Sequence, residues 1–512
     1  MAPAISSWRD RRDDRYLLVR GLLPSEANSP GTGGGLKAVA HLVDEGSFEP
    51  VADDLSTADP LGFPGYLEAM SRTRERSESD ESVVAGPARV GGIEVELVAF
   101  DFSFFGGSIG EVAGERVALS FERAAERRVP FVARLTTGGS RMQEGMRSLV
   151  QMARVASARI SFEAAAQPFV AVLADPTTGG PFASIGSLAD VTIAEADARI
   201  GFAGPRLVES FTGRRLAGSH SAESALGAGL VDAVVPPSEI GRTVAHVLGV
   251  LAPDYPQRVD PPAAPSAERP SGWDAVQTAR ATDRPTGPEL LRDALDAHVV
   301  IQGDRAGRED PSVAVALGRL RGRRLLMMTL DRSTAPGPAA YRKARRALDI
   351  ARRLRLPVVT LVDTPGANPS EASENAGIAG EIARLIEAML RANVPVLGVI
   401  TGEGGSGGAL AFAVGDRVVA YEGSAFSLIA PESAAEILWR DSSRAREAAD
   451  LLKLSAFELE RLGIADEVVA EPLSSESLAS VVAYHLQTLT SKRGPSGDLA
   501  AARLERWRRS AG

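Results

Sequence analysis

The sequence of 512 residues contains no cysteine, only five histidines and few aromatic residues, which make up 5% of the chain. The absence of cysteine excludes a disulfide framework, a thiol nucleophile and a cysteine-ligated zinc site. The low aromatic content and the net charge of −9 disfavour binding of nucleic acid through base stacking and phosphate contacts. We therefore expect no zinc and no nucleic-acid partner.

Long apolar runs are missing as well. No run of apolar residues reaches the length that spans a membrane. The N-terminal sequence MAPAISSWRDRRDDRY lacks the apolar core of a secretory signal. These two features predict a cytoplasmic protein with no membrane partner.

Glycine and aliphatic residues are abundant: the chain has 51 glycines, and 44% of its residues are hydrophobic. A chain of this length usually forms two domains. Short apolar runs alternate with helical stretches in both halves, which is typical of α/β domains built from strand–helix–strand crossovers. The runs are VELVAF, VPFVARL, QPFVAVLAD and VTIAE in the first half and RLLMMTL, LPVVTLVD, VPVLGVITG and RVVAYEG in the second.

Composition divides the chain into five parts. The segment APDYPQRVDPPAAPSAERPSG is rich in proline and lacks periodicity, which predicts an extended linker. A polar N-terminal stretch ends in SPGTGGG and predicts a flexible arm, after which residues 36–84 are expected to be mainly helical. The predicted parts are the arm at 1–35, a first domain at 36–251, the linker at 252–272, a second domain at 273–490 and a polar helical tail at 491–512.

A helix predicted between Tyr341 and Leu356 carries seven basic residues. Long basic side chains usually extend their charged ends into solvent while their stems cover apolar surface. We interpret this helix as a solvated face, and the alternative is a surface that attracts anionic groups.

The two halves resemble one unit used twice. Three prolines of the first half each match a proline of the second half, and the sequence offset within the three pairs is almost constant, at 227, 227 and 226 residues. Three anchors at this spacing indicate an internal duplication. The paired prolines are Pro130 with Pro357, Pro168 with Pro395, and Pro205 with Pro431.

Each half contains two glycine-rich turns that follow apolar strands. They are TGGS at 137–140 and TGG at 178–180 in the first half, and TPGA at 364–367 and GEGGSGG at 402–408 in the second. Glycine lets a ligand approach the backbone closely, and the start of a helix presents unpaired N–H groups. Two such N–H groups directed at one oxygen form an oxyanion hole.

Other interpretations of these turns are a phosphate cradle or tight packing. The loops match neither the P-loop pattern nor a clean dinucleotide fingerprint, and the sequence has no G-x-S-x-G or H-E-x-x-H motif. Four acidic residues in these loops are candidate acids or bases, and two of them, Asp363 and Glu403, are interpreted as helix caps or hydrogen-bond anchors. Stabilisation of an enolate, which needs no protein base, therefore fits best. The acidic residues are Glu144, Asp175, Asp363 and Glu403.

These motifs give the sequence a family resemblance. Its first half resembles the beta subunit of the bacterial acetyl-CoA carboxylase carboxyltransferase, and its second half resembles the alpha subunit. The resemblance covers roughly residues 40–470 in order, so the chain is similar to a beta–alpha fusion. The matching segments include DFSFFGGSIGEVAGER, TGGSRMQEG, LADPTTGGPFAS and IGFAGPRLVE, followed by HVVIQGDRAGRED, AYRKARRALDIARR, DTPGANP, GEGGSGGALAFAVGDRV and PESAAEILWRD.

The resemblance implies an α/β fold of two tandem crotonase-like β-β-α spiral domains. It also implies two oxyanion holes, one for an acyl-CoA thioester and one for the ureido oxygen of biotin. The implied thioester residues are Gly138, Gly139, Arg141, Gly179 and Gly180, and the implied biotin residues are Gly366, Ala367, Gly407, Gly408 and Ala409.

The implied activity is transfer of a carboxyl group from carboxybiotin to the α carbon of a short acyl-CoA, for example acetyl-CoA to malonyl-CoA. Coenzyme A would enter as part of the substrate, and carboxybiotin would arrive on a separate biotin carboxyl carrier protein charged by a biotin carboxylase. The resemblance further implies a homodimer or a multiple of dimers, because the family's active site lies between the N-domain and the C-domain of partner protomers.

Three departures from the family pattern leave alternatives open. The four-cysteine zinc ribbon of the beta subunit is absent, the lysine-rich loop before Tyr341 is shortened, and the turn PGAYPG reads PGANPS. One alternative function is a biotin-independent decarboxylase of a malonyl-CoA-type thioester. The other is a non-catalytic scaffold subunit.

Overall fold

Two mainly parallel β-sheets, one in each half, organise the computed structural model, which describes residues 39–51, 55, 57, 59–214, 218–491 and 498–509. The arm predicted at 1–35 lies outside the described residues. The first-half strands are β1 Val83–Val90, β2 Ile93–Phe100, β3 Phe131–Thr137, β4 Phe169–Thr178, β5 Val191–Glu195, β6 Ile200–Gly201 and β7 Ala233–Val235. The second-half strands are β8 Ala297–Val300, β9 Val313–Leu320, β10 Arg323–Leu330, β11 Val358–Thr364, β12 Val396–Gly405, β13 Arg417–Tyr421, β14 Ala425–Ser427 and β15 Glu467–Val469.

Helices connect the strands and cover the sheets. In the first half they are α1 Tyr66–Ser77, α2 Glu111–Arg127, α3 Met146–Leu149, α4 Gln151–Phe162, α5 Gly180–Ser184, α6 Pro205–Thr212, α7 Ala222–Gly227 and α8 Ile240–Val250. In the second half they are α9 Gly272–Ala279, α10 Gly287–Ala294, α11 Pro338–Leu354, α12 Glu371–Asn375, α13 Ile378–Arg391, α14 Ser406–Ala413, α15 Pro431–Trp439, α16 Ala445–Leu451, α17 Ala456–Arg461, α18 Ser475–Ser491 and α19 Leu499–Arg509.

The two sheets have the same strand order, which confirms the internal repeat. The first runs β1-β2-β3-β4-β5-β7 with β6 paired to β4, and the second runs β9-β10-β11-β12-β13-β15 with β14 paired to β12 and β8 added beyond β9. An antiparallel hairpin opens each sheet, and the following neighbours are parallel. Each of the apolar runs identified in the sequence overlaps one of these strands.

The central strands are apolar because both faces of each sheet are covered. Every residue of β12 is buried, and so is every residue of β11. Parallel strands buried on both sides read as continuous aliphatic runs, which made them recognisable in the sequence. The first strands of the two hairpins, β1 and β9, were not predicted. Both contain glycine and arginine, and β1 also contains proline, so neither reads as a continuous aliphatic run.

Helix α11 corrects one sequence interpretation, because much of its basic face is buried or half-buried, whereas Arg352 and Arg355 at its end are exposed. Lys343 is only 3% exposed. Arg346 contacts the Asp232 carboxylate of the first half at 3.2 Å, and Arg353 pairs with Asp190, also of the first half. Both carboxylates are buried. The helix is therefore an ionic contact between the two halves.

One outer segment also differs from expectation. Between residues 39 and 82 the described chain forms one helix, α1, and otherwise turns and extended backbone, so the expected mainly helical region was wrong. Residues 252–271 have no regular helix or strand and run beside the β9–β10 turn, where the Tyr255 N–H donates to the Gly322 carbonyl.

Helix α19 is anchored by Arg503, whose side chain is buried against Asp416. Among the described residues, no helix has the length and apolar character needed to cross a membrane.

Candidate active site

The two glycine turns of the first half touch each other at the carboxyl ends of neighbouring strands β3 and β4. Gly139 has a φ of +120° and Gly179 a φ of +75°, which are backbone angles that favour glycine. A Cβ built on Gly179 would lie 2.7 Å from Gly139 Cα, closer than real side chains approach. A Cβ built on Gly180 would lie 2.9 Å from Ser140 Oγ. The sequence therefore needs glycine here to bring two backbones together.

Only some of the predicted N–H donors in this half are available. The Gly138 N–H donates to the Gly106 carbonyl at 2.8 Å, and the Gly179 N–H donates to the Phe202 carbonyl at 2.9 Å. The Gly139 N–H donates to Thr137 Oγ1 at 3.1 Å. Gly138 and Gly179 thus shape the turn, while their N–H groups are engaged within the chain.

At this contact, two other N–H groups have no hydrogen-bond partner in the described part of the chain. They belong to Gly180, the first residue of α5, and to Ser140, which the sequence analysis did not select. The contact of a Cβ built on Gly180 with Ser140 Oγ shows that the two residues carrying these donors are neighbours.

The second half repeats this arrangement. Gly366 has a φ of +135°, and its N–H contacts Thr364 Oγ1 at 3.3 Å. A Cβ built on Gly405 would lie 1.9 Å from the Pro365 carbonyl oxygen, so the two turns again touch. The N–H groups of Ala367 and Gly407 have no partner among residues that the structure describes. Gly408 and Ala409 follow in the first turn of α14.

The repeat offset identifies the equivalent donors. Ser140 and Ala367 are 227 residues apart, and so are Gly180 and Gly407. The selection of Gly138 and Gly139 in one half but Gly366 and Ala367 in the other was therefore out of register by one residue. The proline anchors, which share the same offset, contained the signal that selects Ser140.

The Arg141 side chain is turned away from the cleft. It is 1% exposed and contacts Glu81 Oε2 at 2.9 Å and Glu144 Oε1 at 3.2 Å. Glu144 also accepts from Tyr66 Oη at 2.5 Å and from the Glu111 N–H at 2.5 Å. This fully covered cluster supports the TGGS turn from behind, so Arg141 has no free donor for the substrate contact that the resemblance implied.

Asp363 and Glu403 are hydrogen-bond anchors, as the sequence analysis interpreted them. Asp363 Oδ1 accepts from the Glu403 N–H at 3.1 Å, and Glu403 forms two 2.7 Å hydrogen bonds with Arg280. Burial raises the pKa of Asp363 to about 6, although the charge of Arg332 at 3.4 Å opposes this shift. Asp175 pairs with Arg199 at 2.8 Å. Each acidic residue considered in the sequence therefore has a partner.

The chain is similar in sequence to known proteins over almost its whole length. Residues 266–508 match the family described as acetyl co-enzyme A carboxylase carboxyltransferase-like. A protein of Salinispora tropica named acetyl-coenzyme A carboxylase carboxyl transferase subunits beta/alpha is 39% identical over 507 residues, which cover 92% of this chain and 89% of that protein. The chain belongs to the acetyl-CoA carboxylase carboxyltransferase family.

Two further proteins are similar to this carboxyltransferase chain, one in sequence and one in structure. A probable biotin-dependent acyl-coenzyme A carboxylase beta3 subunit of Mycobacterium bovis is 35% identical, with coverage of 91% of this chain and 96% of that protein. The crystal structure of transcarboxylase 12S superposes with a TM-score of 0.72 at 20% identity and covers 97% of this chain and 98% of the other. This likeness confirms the tandem crotonase-like fold.

Proposed function

We propose that this chain is the carboxyltransferase component of an acyl-CoA carboxylase and acts on a short acyl-CoA, for example acetyl-CoA. The observation that carries the proposal is the equivalence of the two sites, each with two unpartnered backbone N–H groups beside touching glycine turns. Membership of the carboxyltransferase family supports it. A separate carrier protein would bring carboxybiotin, and a biotin carboxylase would charge that carrier.

The first-half donors suit a thioester oxygen. When the α proton of an acyl-CoA is removed, negative charge moves onto this oxygen. The N–H groups of Ser140 and Gly180 then stabilise the enolate, and a donor of this kind contributes about 3–4 kcal/mol to transition-state stabilisation. Gly139 and Gly179 keep the backbones close enough for both donors to reach one atom.

The second-half donors suit the ureido oxygen of biotin. Gly407 provides an N–H group at the start of α14, where the helix dipole also favours negative charge, and Ala367 provides one from the turn after β11. When bound, carboxybiotin supplies the carboxyl group and, after releasing it, the base for the α proton. The protein then needs no base of its own, which agrees with the pairing of Glu144, Asp363 and Glu403.

Carboxyl exchange tests the proposal. Malonyl-CoA labelled in its free carboxyl group is incubated with the protein and either biotin or the biotinylated carrier. We expect label to move to biotin, because the transfer is reversible. Release of labelled CO2 at the same rate without biotin would support the decarboxylase instead, and the absence of any reaction across a panel of short acyl and malonyl thioesters would support the scaffold.

Exposed apolar side chains flank both sites. Phe202, whose carbonyl accepts from Gly179, is 69% exposed, and Leu428 beyond β14 is 78% exposed. Clusters of exposed apolar residues commonly mark protein interfaces. We propose a homodimer, or a multiple of dimers, in which a second copy covers these residues and the first-half site of one protomer meets the second-half site of its partner. The other exposed residues of these faces are Leu207, Phe211, Ile437 and Leu438.

Sedimentation of the double variant Phe211→Asp/Ile437→Asp tests the assembly. We expect the wild type to sediment as a dimer or larger, and the variant to dissociate and lose carboxyl exchange. A monomeric wild type with full exchange activity would disprove the shared site.

A further inference from the structure

Tyr341 carries a buried hydroxyl group with no hydrogen-bond partner within the described ranges. Its side chain is fully buried, and its ring centroid lies 5.8 Å from that of Phe412. Burying a hydroxyl group without a partner is unfavourable, because the group gives up its hydrogen bonds to water and gains none. An unpaired hydroxyl group in the interior is therefore a candidate for contact with a ligand.

The hydroxyl group lies at the second-half site. A Cβ built on Gly408 would lie 2.8 Å from Tyr341 Oη and 2.7 Å from the Ala367 nitrogen, so both atoms face the same side of Gly408. The Ala367 N–H is also without a partner in the described structure. Two hydrogen-bond donors without a partner in the described structure therefore lie beside Gly408 at the second-half site.

The first half has no counterpart to this group. The residue 227 positions before Tyr341 is Gly114 in α2. A Cβ built on Gly114 would lie 2.5 Å from Gln151 Cβ, so the Gln151 side chain fills the space. The hydroxyl group thus distinguishes the second-half site from the first.

The protonation of Tyr341 determines what it can do. Burial raises the pKa of its hydroxyl group well above the ordinary value, and Asp310 raises it further. The group therefore keeps its proton at working pH and acts as a donor, not as a base.

We propose that Tyr341 donates a hydrogen bond to the ureido oxygen of biotin at the second-half site, as a third donor beside the N–H groups of Ala367 and Gly407. This inference rests on the proposed function, since it takes biotin as the ligand of that site. Gly408 is required in this arrangement because a side chain there would occupy the space that the donors face.

Binding of biotin and 2-thiobiotin to the full chain tests the role of Tyr341. In 2-thiobiotin the ureido oxygen is replaced by sulfur, which is a poor acceptor. Tyr341→Phe removes the donor and keeps the ring, so we expect biotin to bind about tenfold more weakly, as for the loss of one hydrogen bond. The preference for biotin over 2-thiobiotin should shrink in the variant, which a merely structural role would not cause.

Thermal unfolding supplies a second readout and a matched control. Tyr341→Phe should unfold at the same temperature as the wild type or higher, because it removes an unsatisfied group. Tyr421→Phe should unfold at a lower temperature with unchanged biotin binding, because Tyr421 Oη is buried but contacts Ser477 Oγ at 3.1 Å.

The outcomes separate this inference from the proposed function. An unchanged preference for biotin over 2-thiobiotin in Tyr341→Phe, or a lower unfolding temperature for this variant, would overturn the role of Tyr341 alone. Failure of the wild type to bind biotin would overturn both proposals.

Discussion

The first-half and second-half sites share a backbone and differ in the side chains that support it. Behind the first-half turn, Arg141 is enclosed by carboxylates in a cluster of charged groups. Beside the second-half turn lie a tyrosine hydroxyl group and Asp363, whose carboxylate is buried. The duplication has thus kept the N–H donors in register while the surrounding groups diverged. Under the proposed function, one repeated backbone would in this way serve two different ligands.

The neighbouring glycines of α14 should give the largest effect. Gly408→Ala would push its Cβ to 2.7 Å from the Ala367 nitrogen and displace the turn, whereas a Cβ at Gly407 meets nothing within 4 Å. We expect Gly408→Ala to lower carboxyl exchange at least about a hundredfold, as for the loss of one oxyanion donor. Gly249→Ala in α8, where a Cβ also meets nothing within 4 Å, lies outside both sites and is the matched control that should retain most of the activity. Equal losses in both variants would disprove this steric explanation.

The charged cluster of the first half should dominate stability. Arg141→Met would leave Glu81 and Glu144 buried without their cation, which typically costs about 3–5 kcal/mol of the free energy of unfolding. Arg391→Ala removes an exposed pair with Glu387 and should change stability by less than about 1 kcal/mol. Urea unfolding measures both, and a similar small change in both variants would contradict the importance of the cluster.

The pH dependence should reveal a group that only the second half possesses. Because the pKa of Asp363 rises from 3.8 to about 6 on folding, the folded chain holds an extra proton between these values. Its contribution is therefore fully present below pH 3.8 and is lost as pH rises through about 6. Asp363→Asn cannot ionise, so from pH 5 to pH 8 the wild type should lose about 1.4 kcal/mol relative to this variant, which is about half of the effect of the whole pKa shift. The equivalent position in the first half is the uncharged Thr136.

A control carboxylate should behave in the opposite way. The Arg199 side chain, through its hydrogen bonds, holds the pKa of Asp175 below its ordinary value. The contribution of Asp175 is therefore present above its ordinary pKa and is lost as pH falls below it. Unfolding measured across pH for Asp175→Asn and Asp363→Asn should show the two opposite trends, and parallel trends would contradict the assignment.

The smallest effect should come from the first-half turn itself. Ser140→Ala converts the first-half sequence to the Gly-Ala pair that the second half already has at Gly366 and Ala367. We expect exchange activity within about twofold of the wild type, because the donor is the backbone N–H, which alanine keeps. A loss greater than tenfold would mean that the hydroxyl group contacts the substrate and that the two turns differ more than their backbones show.

Strand positions were predictable because central parallel strands read as continuous aliphatic runs. The duplication was predictable from proline spacing. The register of the donors was missed because glycine identity guided the choice, although the N–H groups of Ser140 and Ala367 do not depend on the side chain. The burial of Arg141 and the position of Tyr341 depend on tertiary packing, and no local pattern distinguishes them from exposed residues. The basic helix α11 was misjudged for the same reason, since its partners are distant in sequence.

The ionic contacts of α11 also bear on how the chain acquires its structure during synthesis. Asp190 and Asp232 belong to the first half, whereas their partners, Arg353 for Asp190 and both Arg305 and Arg346 for Asp232, belong to the second half and are translated later. Until the second half is made, these carboxylates of the first half lack their cations. Burying a carboxylate without its cation is costly in free energy. The final stability of the first half therefore depends on the arrival of the second half, and the fusion delivers that half at a fixed ratio of one to one.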